Sequence, residues 1–288
     1  MNAILTIAQL TFREAWRRRI ALAALLLGLA FLVLYNAGFY FIHTEMEREN
    51  ALSAPRSALE AETLRRTVFN FFSTAGLYAV NFLTLAMGAM LSADTLAGEI
   101  TSGTVQALVT KPIRRGEIVL GKWLGFSILL ALYLLLMGGG LLVSVWVQTG
   151  YTLPNWLNGL SLIYLASLLT MTMTLMLSSR FSALATGGSV FGLYGLAFIG
   201  GWVEQVGAAL QNRTAVEVGI ISSLIFPSEA LWKRAAHEVS SPLLQAATGG
   251  FGLFTTANPP SPLMLVYAGL YLLAALWVAT RWFNQRDL

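Results

Sequence analysis

The segment 116–123, Gly-Glu-Ile-Val-Leu-Gly-Lys-Trp, resembles a nucleotide-binding motif. It fits G-x-x-x-x-G-K, in which backbone N–H groups and a lysine hold phosphates. A phosphate loop also needs Ser or Thr after the lysine to bind Mg²⁺, but Trp123 stands there. The residues between the glycines are bulky, and the segment runs into an apolar stretch. We therefore predict no nucleotide, metal or other cofactor in this chain, so that any ATP and Mg²⁺ would belong to another subunit.

A serine nucleophile is the second chemistry to consider. Gly188-Ser189 lies inside a long apolar run, but a serine mechanism needs a general base within hydrogen-bond reach. The two histidines, His43 and His237, lie outside the apolar runs, and the sequence has no His-Glu-x-x-His zinc motif and no cysteine. We interpret the small residues 187–192 as helix-packing contacts. An intramembrane enzyme or a non-transporting membrane scaffold remains the alternative function.

The composition excludes a soluble enzyme. Hydrophobic residues make up 56% of the 288 residues and charged residues only 11%, with a mean hydropathy of +0.67, whereas soluble domains carry about 25% charged residues. A helix of about 20 apolar residues crosses the hydrocarbon core. Six runs without an internal charge meet this requirement: 20–42, 68–91, 123–147, 156–177, 181–203 and 261–280. We predict an all-α membrane protein with a six-helix transmembrane domain over 20–288.

The distribution of basic residues predicts the orientation. With the N-terminus in the cytoplasm, eleven of the 18 Lys and Arg residues lie on the inner side, and Arg17–Arg19 directly precede the first span. Basic residues favour the cytoplasmic side of short loops. We therefore expect a multi-pass protein of the plasma membrane with both termini cytoplasmic. The net charge of +4 is too small to indicate a nucleic-acid partner.

The N-terminal segment 1–19 has the pattern of an amphipathic helix lying on the membrane lipid. Polar residues recur at a spacing of three or four, and apolar residues occupy the opposite side. The polar positions are Asn2, Thr6, Gln9, Arg13 and Arg17, and the apolar ones are Ile4, Ala8, Phe12, Ala15 and Trp16. The pattern predicts an interfacial helix, with a leader that only sets the topology as the alternative.

Two segments are predicted to lie on the outer side. The charged segment 43–67 is expected to form a solvated, partly helical hairpin. The segment 204–260 contains the apolar stretch 215–226, which is too short to cross a bilayer and ends at Pro227. We expect 204–260 to be an extracytoplasmic loop whose short helices dip into or rest on the outer leaflet.

The inner loop 92–122 is the most informative segment. Residues 104–110 can form a short helix that Lys111-Pro112 ends, Gly116 permits a turn, and Glu117 begins the helix of the third span. Two membrane helices are thus joined by a short helix on the cytoplasmic surface. Such an element can receive a push from a soluble partner and tilt both flanking helices.

The polar residues inside the spans are uncharged asparagine, serine and threonine. They are Asn70, Ser73, Asn81 and Thr84 in the second span and Thr170, Thr172 and Thr174 in the fourth. Hydrogen bonds between helices explain such residues. A weakly polar lining for an amphiphilic substrate is the functional alternative. An ion-coupled transporter is disfavoured because no span contains Asp, Glu, Lys or Arg.

Taken together, these motifs resemble the permease subunits of ABC-2 type ATP-binding-cassette exporters, near the permease of the nitrous-oxide-reductase maturation system. The resemblance covers the whole chain. It rests on Arg17-Arg18-Arg19, on Asp94-x-x-x-Gly98-Glu99-x-x-x-Gly103-Thr104, on the run from Lys111-Pro112 through Arg115-Gly116-Glu117 to Gly121-Lys122, on 178–182, and on Phe226-Pro227-Ser228-Glu229-Ala230-Leu231.

The resemblance implies specific partners and roles. A second permease copy, identical or different, would pair with this chain, and two ATPase subunits would drive it. The coupling residues carried over are Asp94, Glu99, Gly103, Thr104, Lys111, Pro112, Arg115 and Glu117. Glu99 and Arg115 are the candidates for contacts that transmit movement, with interfacial anchoring or a loop salt bridge as the alternative. The second and fifth spans would line the path at the dimer axis, and the candidate lining residues are Asn81, Thr84 and Ser189.

Overall fold

The computed structural model describes residues 3–17, 19–52, 57–101, 114–249 and 259–285. These residues form helices and no strand. The helices are α1 (Ala3–Arg17), α2 (Arg19–Leu52), α3 (Ala58–Ala93), α4 (Thr95–Thr101), α5 (Arg115–Leu134), a π-helical segment (Leu135–Gly139), α6 (Gly140–Thr149), α7 (Trp156–Ser178), α8 (Ala183–Ala209), α9 (Arg213–Ile225), α10 (Ser228–Val239), α11 (Pro242–Thr248) and α12 (Pro262–Asn284).

Six helical stretches in the described part of the chain are long and apolar enough to cross a bilayer. They are α2, α3, the continuous stretch Arg115–Thr149, α7, α8 and α12. The predicted all-α fold with six spans is therefore confirmed. The helices extend past several of the predicted runs because a hydropathy criterion stops at the first charges, whereas backbone hydrogen bonding continues through them. Thus α2 runs on to Leu52, and α3 begins ten residues before the predicted 68.

Local side chains set several helix ends. The Ser57 hydroxyl accepts a hydrogen bond from the Glu60 amide at 3.2 Å, and the Glu60 carboxylate accepts one from the Ser57 amide at 3.2 Å, which together start α3. Gly150, with φ of 67°, ends α6 in the left-handed conformation that glycine adopts without strain. Between α9 and α10, Phe226 is extended and Pro227 follows it, and the axes of the two helices differ by 106°.

The helix α7 lies at the centre of the bundle. It packs against α3, α10 and α12, and most of its residues are buried, whereas only a minority of the residues of α2, α8 and α12 are buried. The main apolar core gathers residues of α3, α5, α7 and α10. A chain whose peripheral spans expose leucine, valine and phenylalanine over their length is built for a lipid environment.

The short helices α9 and α10 enter and leave the bundle on the same side. Ala215 of α9 lies against Gly207 of α8, so α9 runs back alongside the end of α8. At the far end of α10, the carbonyl of Val239 accepts a hydrogen bond from Asn70 of α3. The ring centroids of Trp232 and Tyr78 lie 5.0 Å apart, and Tyr78 is about 12 Å further along α3 than Asn70. The bend at Phe226–Pro227 is therefore the deepest point of a re-entrant pair.

Candidate functional sites

The predicted coupling residues lie where α3 passes into α4 and where α5 begins. Asp94 is exposed and ends α3, and its carbonyl accepts a hydrogen bond from the Gly98 amide at 2.8 Å. Glu99 lies in α4. The predicted short helix 104–110 lies outside the described part of the chain, as do four of the predicted residues: Gly103, Thr104, Lys111 and Pro112.

Arg115 and Glu117 have defined contacts at the start of α5. The Glu117 carboxylate accepts a hydrogen bond from the Arg114 amide at 3.0 Å, which stabilises the first turn of the helix. The Arg115 guanidinium donates to the carbonyl of Asn284 at 3.3 Å. Glu117 therefore has a local structural contact, while Arg115 links the start of α5 to the end of α12.

A compact apolar cluster lies beneath these residues, and we call it the terminal node. It joins five helices at the end of the bundle that holds α1 and the end of α12. Leu96 of α4 is fully buried within it, so α4 is fixed to the membrane helices by its apolar side. The members of the terminal node are Ile7, Leu96, Ile118, Val119, Leu175, Ala279 and Phe283.

Gly121, the second glycine of the phosphate-loop pattern, and the nearby Gly125 serve helix packing. A Cβ atom on Gly121 would lie 2.6 Å from Ile7 Cβ, and one on Gly125 would lie 2.7 Å from the carbonyl oxygen of Ala8. The absence of side chains at these two positions allows α1 to lie directly on α5. Lys122 is only 3% exposed, inside the bundle. The segment thus forms part of the surface on which the N-terminal helix α1 packs.

The helix α1 presents both a protein-facing and an exposed apolar surface. Ile7, Ala8 and Ala15 are buried, whereas Leu5, Leu10 and Trp16 are exposed. Sequence periodicity identified the amphipathic pattern but placed Trp16 on the same side as Ala15. The packing against α5 accounts for this difference. One apolar side of α1 is covered by α5, and a second apolar side, which carries Trp16, remains exposed.

The three candidate lining residues are not brought together in one chain. Asn81 and Thr84 of α3 are 1% and 0% exposed, whereas Ser189 of α8 is exposed. The Thr84 hydroxyl donates to the Val80 carbonyl at 2.7 Å, while neither side-chain amide atom of Asn81 has a hydrogen-bond partner among the described residues. Gly188 and Gly192 beside Ser189 face open space within 4 Å, so their surface packs on nothing in the described chain.

The other polar residues of the spans mostly bond within their own helices. The hydroxyls of Thr170 and Thr174 donate to the carbonyls four residues before them, at 3.0 and 2.8 Å. The Thr172 hydroxyl likewise donates to the Leu168 carbonyl at 2.6 Å, and in addition it accepts a hydrogen bond from the Trp123 indole at 2.8 Å. Such local bonds satisfy a hydroxyl in an apolar environment without a partner helix.

Asn70 connects three parts of the bundle at the end where α9 and α10 enter. Its amide nitrogen lies 2.9 Å from both the Tyr151 hydroxyl and the Val239 carbonyl, and its carbonyl oxygen accepts from the Ser241 amide at 3.0 Å. The side chain is fully buried. These bonds fix the end of α10 to α3 and to the turn before α7.

A buried charged cluster joins α8 to α10. The Lys233 ammonium donates to the Glu204 carboxylate at 2.8 Å and to the Gly201 carbonyl at 3.1 Å. Glu229, one turn before Lys233, is 6% exposed. Burial raises the pKa of the Glu229 carboxyl from 4.5 to about 7, with Lys233 acting to lower it and Glu204 acting to raise it.

Sequence reasoning treated this charged cluster as part of a loop. The available signals were Glu204 immediately after an apolar run and the spacing of four between Glu229 and Lys233 on an amphipathic helix. Hydropathy cannot show that such charges are buried, because it scores each residue by type and not by partner.

Comparison with known proteins gives a family match over residues 5–288, to the family described as ABC-2 family transporter protein. The chain belongs to the ABC-2 family of transporter proteins. The six candidate spans in the described part of the chain are consistent with a family of membrane transporters. Family membership and the six candidate spans together make it a multi-pass membrane protein of a transporter family.

Two curated relatives match short segments of this ABC-2 family chain. A probable ABC transporter permease protein NosY of Stutzerimonas stutzeri is 40% identical over 55 residues, 19% of this chain and 20% of the relative. The protein of the same description from Pseudomonas aeruginosa is 36% identical over 64 residues, 22% of this chain and 23% of the relative. The chain thus spans about a fifth of the length of the curated relatives it matches.

Proposed function

We propose that the chain is the membrane permease subunit of an ABC-2 exporter in the plasma membrane, with both termini in the cytoplasm. A second permease copy completes the translocation path. Separate ATPase subunits bind ATP and Mg²⁺ and drive the cycle. The proposal is supported by the family match over nearly the whole chain and by the partial similarity to two proteins described as probable ABC transporter permeases.

The terminal node is the observation that carries the coupling part of this proposal. Leu96 lies in α4, three residues after the end of α3, and is buried among side chains of α1, α5, α7 and α12. A displacement of α4 therefore moves the ends of several membrane helices together, since well-packed side chains transmit strain. A partner ATPase that pressed on the segment 94–117 would thus act on the whole bundle.

Arg115 gives this region a second connection. Its hydrogen bond to the Asn284 carbonyl lies beside the terminal node and ties the start of α5 to the end of α12. An exposed contact of this kind contributes about 0–1 kcal/mol to stability. We infer that Arg115, together with Glu99 and Asp94, guides the movement, and that the buried apolar contacts transmit it.

The path itself is proposed to lie between two permease copies, along α3 and α8. Support comes from the exposed small residues around Ser189, which leave room for a close approach. Asn81 lies on the adjacent helix with both amide atoms unbonded among the described residues, so a rotation of α3 would offer a polar group to a substrate. Movement of α3 is what a push on α4 produces.

Coexpression and reconstitution with ABC ATPase subunits from the same organism test the proposal. We expect copurification, and ATP hydrolysis in lipid nanodiscs that is faster than hydrolysis by the ATPase subunits alone. The substitution Leu96→Ala should remove most of this increase, because it empties the contact between α4 and the membrane helices.

Leu231→Ala is the matched control. Leu231 is also a fully buried leucine, but it lies in α10, away from the terminal node. Equal loss of stimulation in both variants would contradict coupling through the terminal node. Chemical activity of the purified chain without any ATPase would support the intramembrane enzyme instead.

A further inference from the structure

A group of buried charged side chains holds the re-entrant pair α9–α10 in the bundle, although the interior of the bundle is otherwise largely apolar. Helices α3, α7, α8 and α12 pack around α10, and we call the space that they leave for α10 its seat. Within this seat, Glu229 and Lys233 are 6% and 4% exposed. Burying a charge is costly unless a partner and hydrogen bonds compensate for it.

The charges in this seat do not balance. Lys233 is engaged by the Glu204 carboxylate at 2.8 Å and by the Gly201 carbonyl at 3.1 Å. The second carboxyl, that of Glu229, has an oxygen, Oε2, without a hydrogen-bond partner among the described residues. Two carboxyl groups thus share one ammonium group, and an ionised Glu229 would leave one buried negative charge uncompensated.

The packing leaves little room for an ion in place of a proton. A Cβ atom on Gly201 would lie 2.8 Å from Glu229 Cγ and 3.4 Å from Lys233 Cε, so α8 and α10 touch directly at this level. No group of three or more possible metal ligands occurs in the described ranges. A proton is the neutralising species that needs no additional volume.

The other titratable groups near the seat do not supply the missing charge. Tyr78 of α3 and Tyr194 of α8 interact with Glu229, and both are uncharged phenols at neutral pH. Further along α10, Arg234 is paired with Glu238 at 2.7 Å.

The remaining charged or titratable groups on the elements around α10 are engaged elsewhere. His237 lies next to Gln245, with 3.4 Å between the His237 Nδ1 and Gln245 Nε2 atoms. On α9, Glu217 is paired with Arg213 at 2.9 Å. On α7, the Tyr164 hydroxyl donates to the Ser127 carbonyl at 2.9 Å, and on α12 the hydroxyls of Tyr267 and Tyr271 donate to carbonyls of α9.

We propose that Glu229, held against Lys233 and Glu204, is a proton-binding site that couples seating of the re-entrant pair to uptake of one proton from the solution on that side. When α10 moves out of its seat, the carboxyl meets water and releases the proton. When α10 returns, the carboxylate takes up a proton before it is buried. The site belongs to this chain's own fold and does not depend on the coupling or lining roles proposed above.

The direction of the pH effect follows from linkage. Burial raises the pKa of Glu229 from 4.5 to about 7, so the seated form binds more protons than the unseated form between these values. Seating is therefore most favourable at acidic pH. It weakens about tenfold per pH unit across this window and becomes independent of pH above it.

Thiol labelling of the full chain in nanodiscs tests the proposal. The native sequence has no cysteine, so Ala236→Cys, at a position 1% exposed on α10, provides a single buried thiol. Its labelling rate by an impermeant maleimide is measured with native Glu229 and with Glu229→Gln, which imitates the protonated carboxyl. Taking the ratio of the two rates cancels the pH dependence of the thiol itself.

We expect this ratio to rise more than about tenfold between about pH 5 and pH 7.5. The variant Glu217→Gln, on the exposed surface of α9, should retain the pH dependence of the native chain. A ratio that stays constant with pH, or the same loss of dependence in Glu217→Gln, would overturn the proposal.

A second measurement uses the native chain and does not depend on any variant folding. Infrared difference spectroscopy detects the carbonyl stretch of a buried, protonated carboxylic acid. We expect this band to be present at acidic pH and to disappear with an apparent midpoint near pH 7, the pKa of Glu229. Its absence at acidic pH would refute proton binding at this site.

Discussion

At the scale of single residues, Asn70 shows how a polar side chain inside a membrane protein stabilises a connection between distant segments. Its amide group is engaged at both ends by Tyr151, Val239 and Ser241. The sequence marked Asn70 only as one of several polar residues in a span. Its partners are 81 to 171 residues away along the chain, so no local pattern could identify them.

Asn70→Ala should loosen the end of α10. The substitution leaves the Val239 carbonyl and the Ser241 amide without their partner, and an unsatisfied buried group costs about 1–3 kcal/mol. We expect a lower thermal unfolding midpoint in detergent and faster proteolysis between α10 and α11. Asn158→Ala, which removes an exposed asparagine of α7, is the control and should leave both measurements unchanged.

At the scale of elements, hydropathy predicted the six spans because each contains enough consecutive apolar residues. It did not predict that α1 would dock on α5, because that contact depends on the absence of Cβ atoms at Gly121 and Gly125. Nor did it predict the deep position of α10, since Glu229 and Lys233 appear too polar for the interior until their partners are known. The coupling roles of Asp94, Glu99 and Arg115 remain predictions.

Gly125→Ala should displace α1 from α5. The new Cβ would lie 2.7 Å from the backbone oxygen of Ala8, which cannot move without the whole helix, and such overpacking costs about 1–3 kcal/mol. We expect faster hydrogen exchange in α1. Gly116→Ala lies in the same helix and meets nothing within 4 Å, so α1 should keep its native exchange rate.

At the scale of the whole molecule, a surface of small residues on α8 is not covered by the other described helices. On α8, Ser189 and its neighbouring glycines are exposed and face open space. Lipid could cover this surface, but the path proposed for this family chain requires a second permease there. If a second permease covers this surface, residues of α8 from two chains come within bonding distance of each other. If lipid covers it, they do not.

Ser189→Cys tests the position of the second copy. In a chain without native cysteine, this near-isosteric change provides one thiol on the proposed dimer axis. If two identical copies pair along α8, mild oxidation in native membranes should give a cross-linked dimer. Val33→Cys, on the exposed side of α2, should remain monomeric. Cross-linking of the Val33 variant alone would move the interface to α2.

The lengths of α2 and α3 have a mechanical consequence. They contain 34 and 36 residues and so extend about 50 Å, some 20 Å more than a hydrocarbon core of about 30 Å. If the excess stands above the bilayer, a tilt of about 10° moves the last turn of α2 and the first turn of α3 sideways by roughly 3–4 Å. Fluorophores near these two helix ends would therefore convert small rotations deep in the membrane into larger displacements, which single-molecule distance measurements can follow.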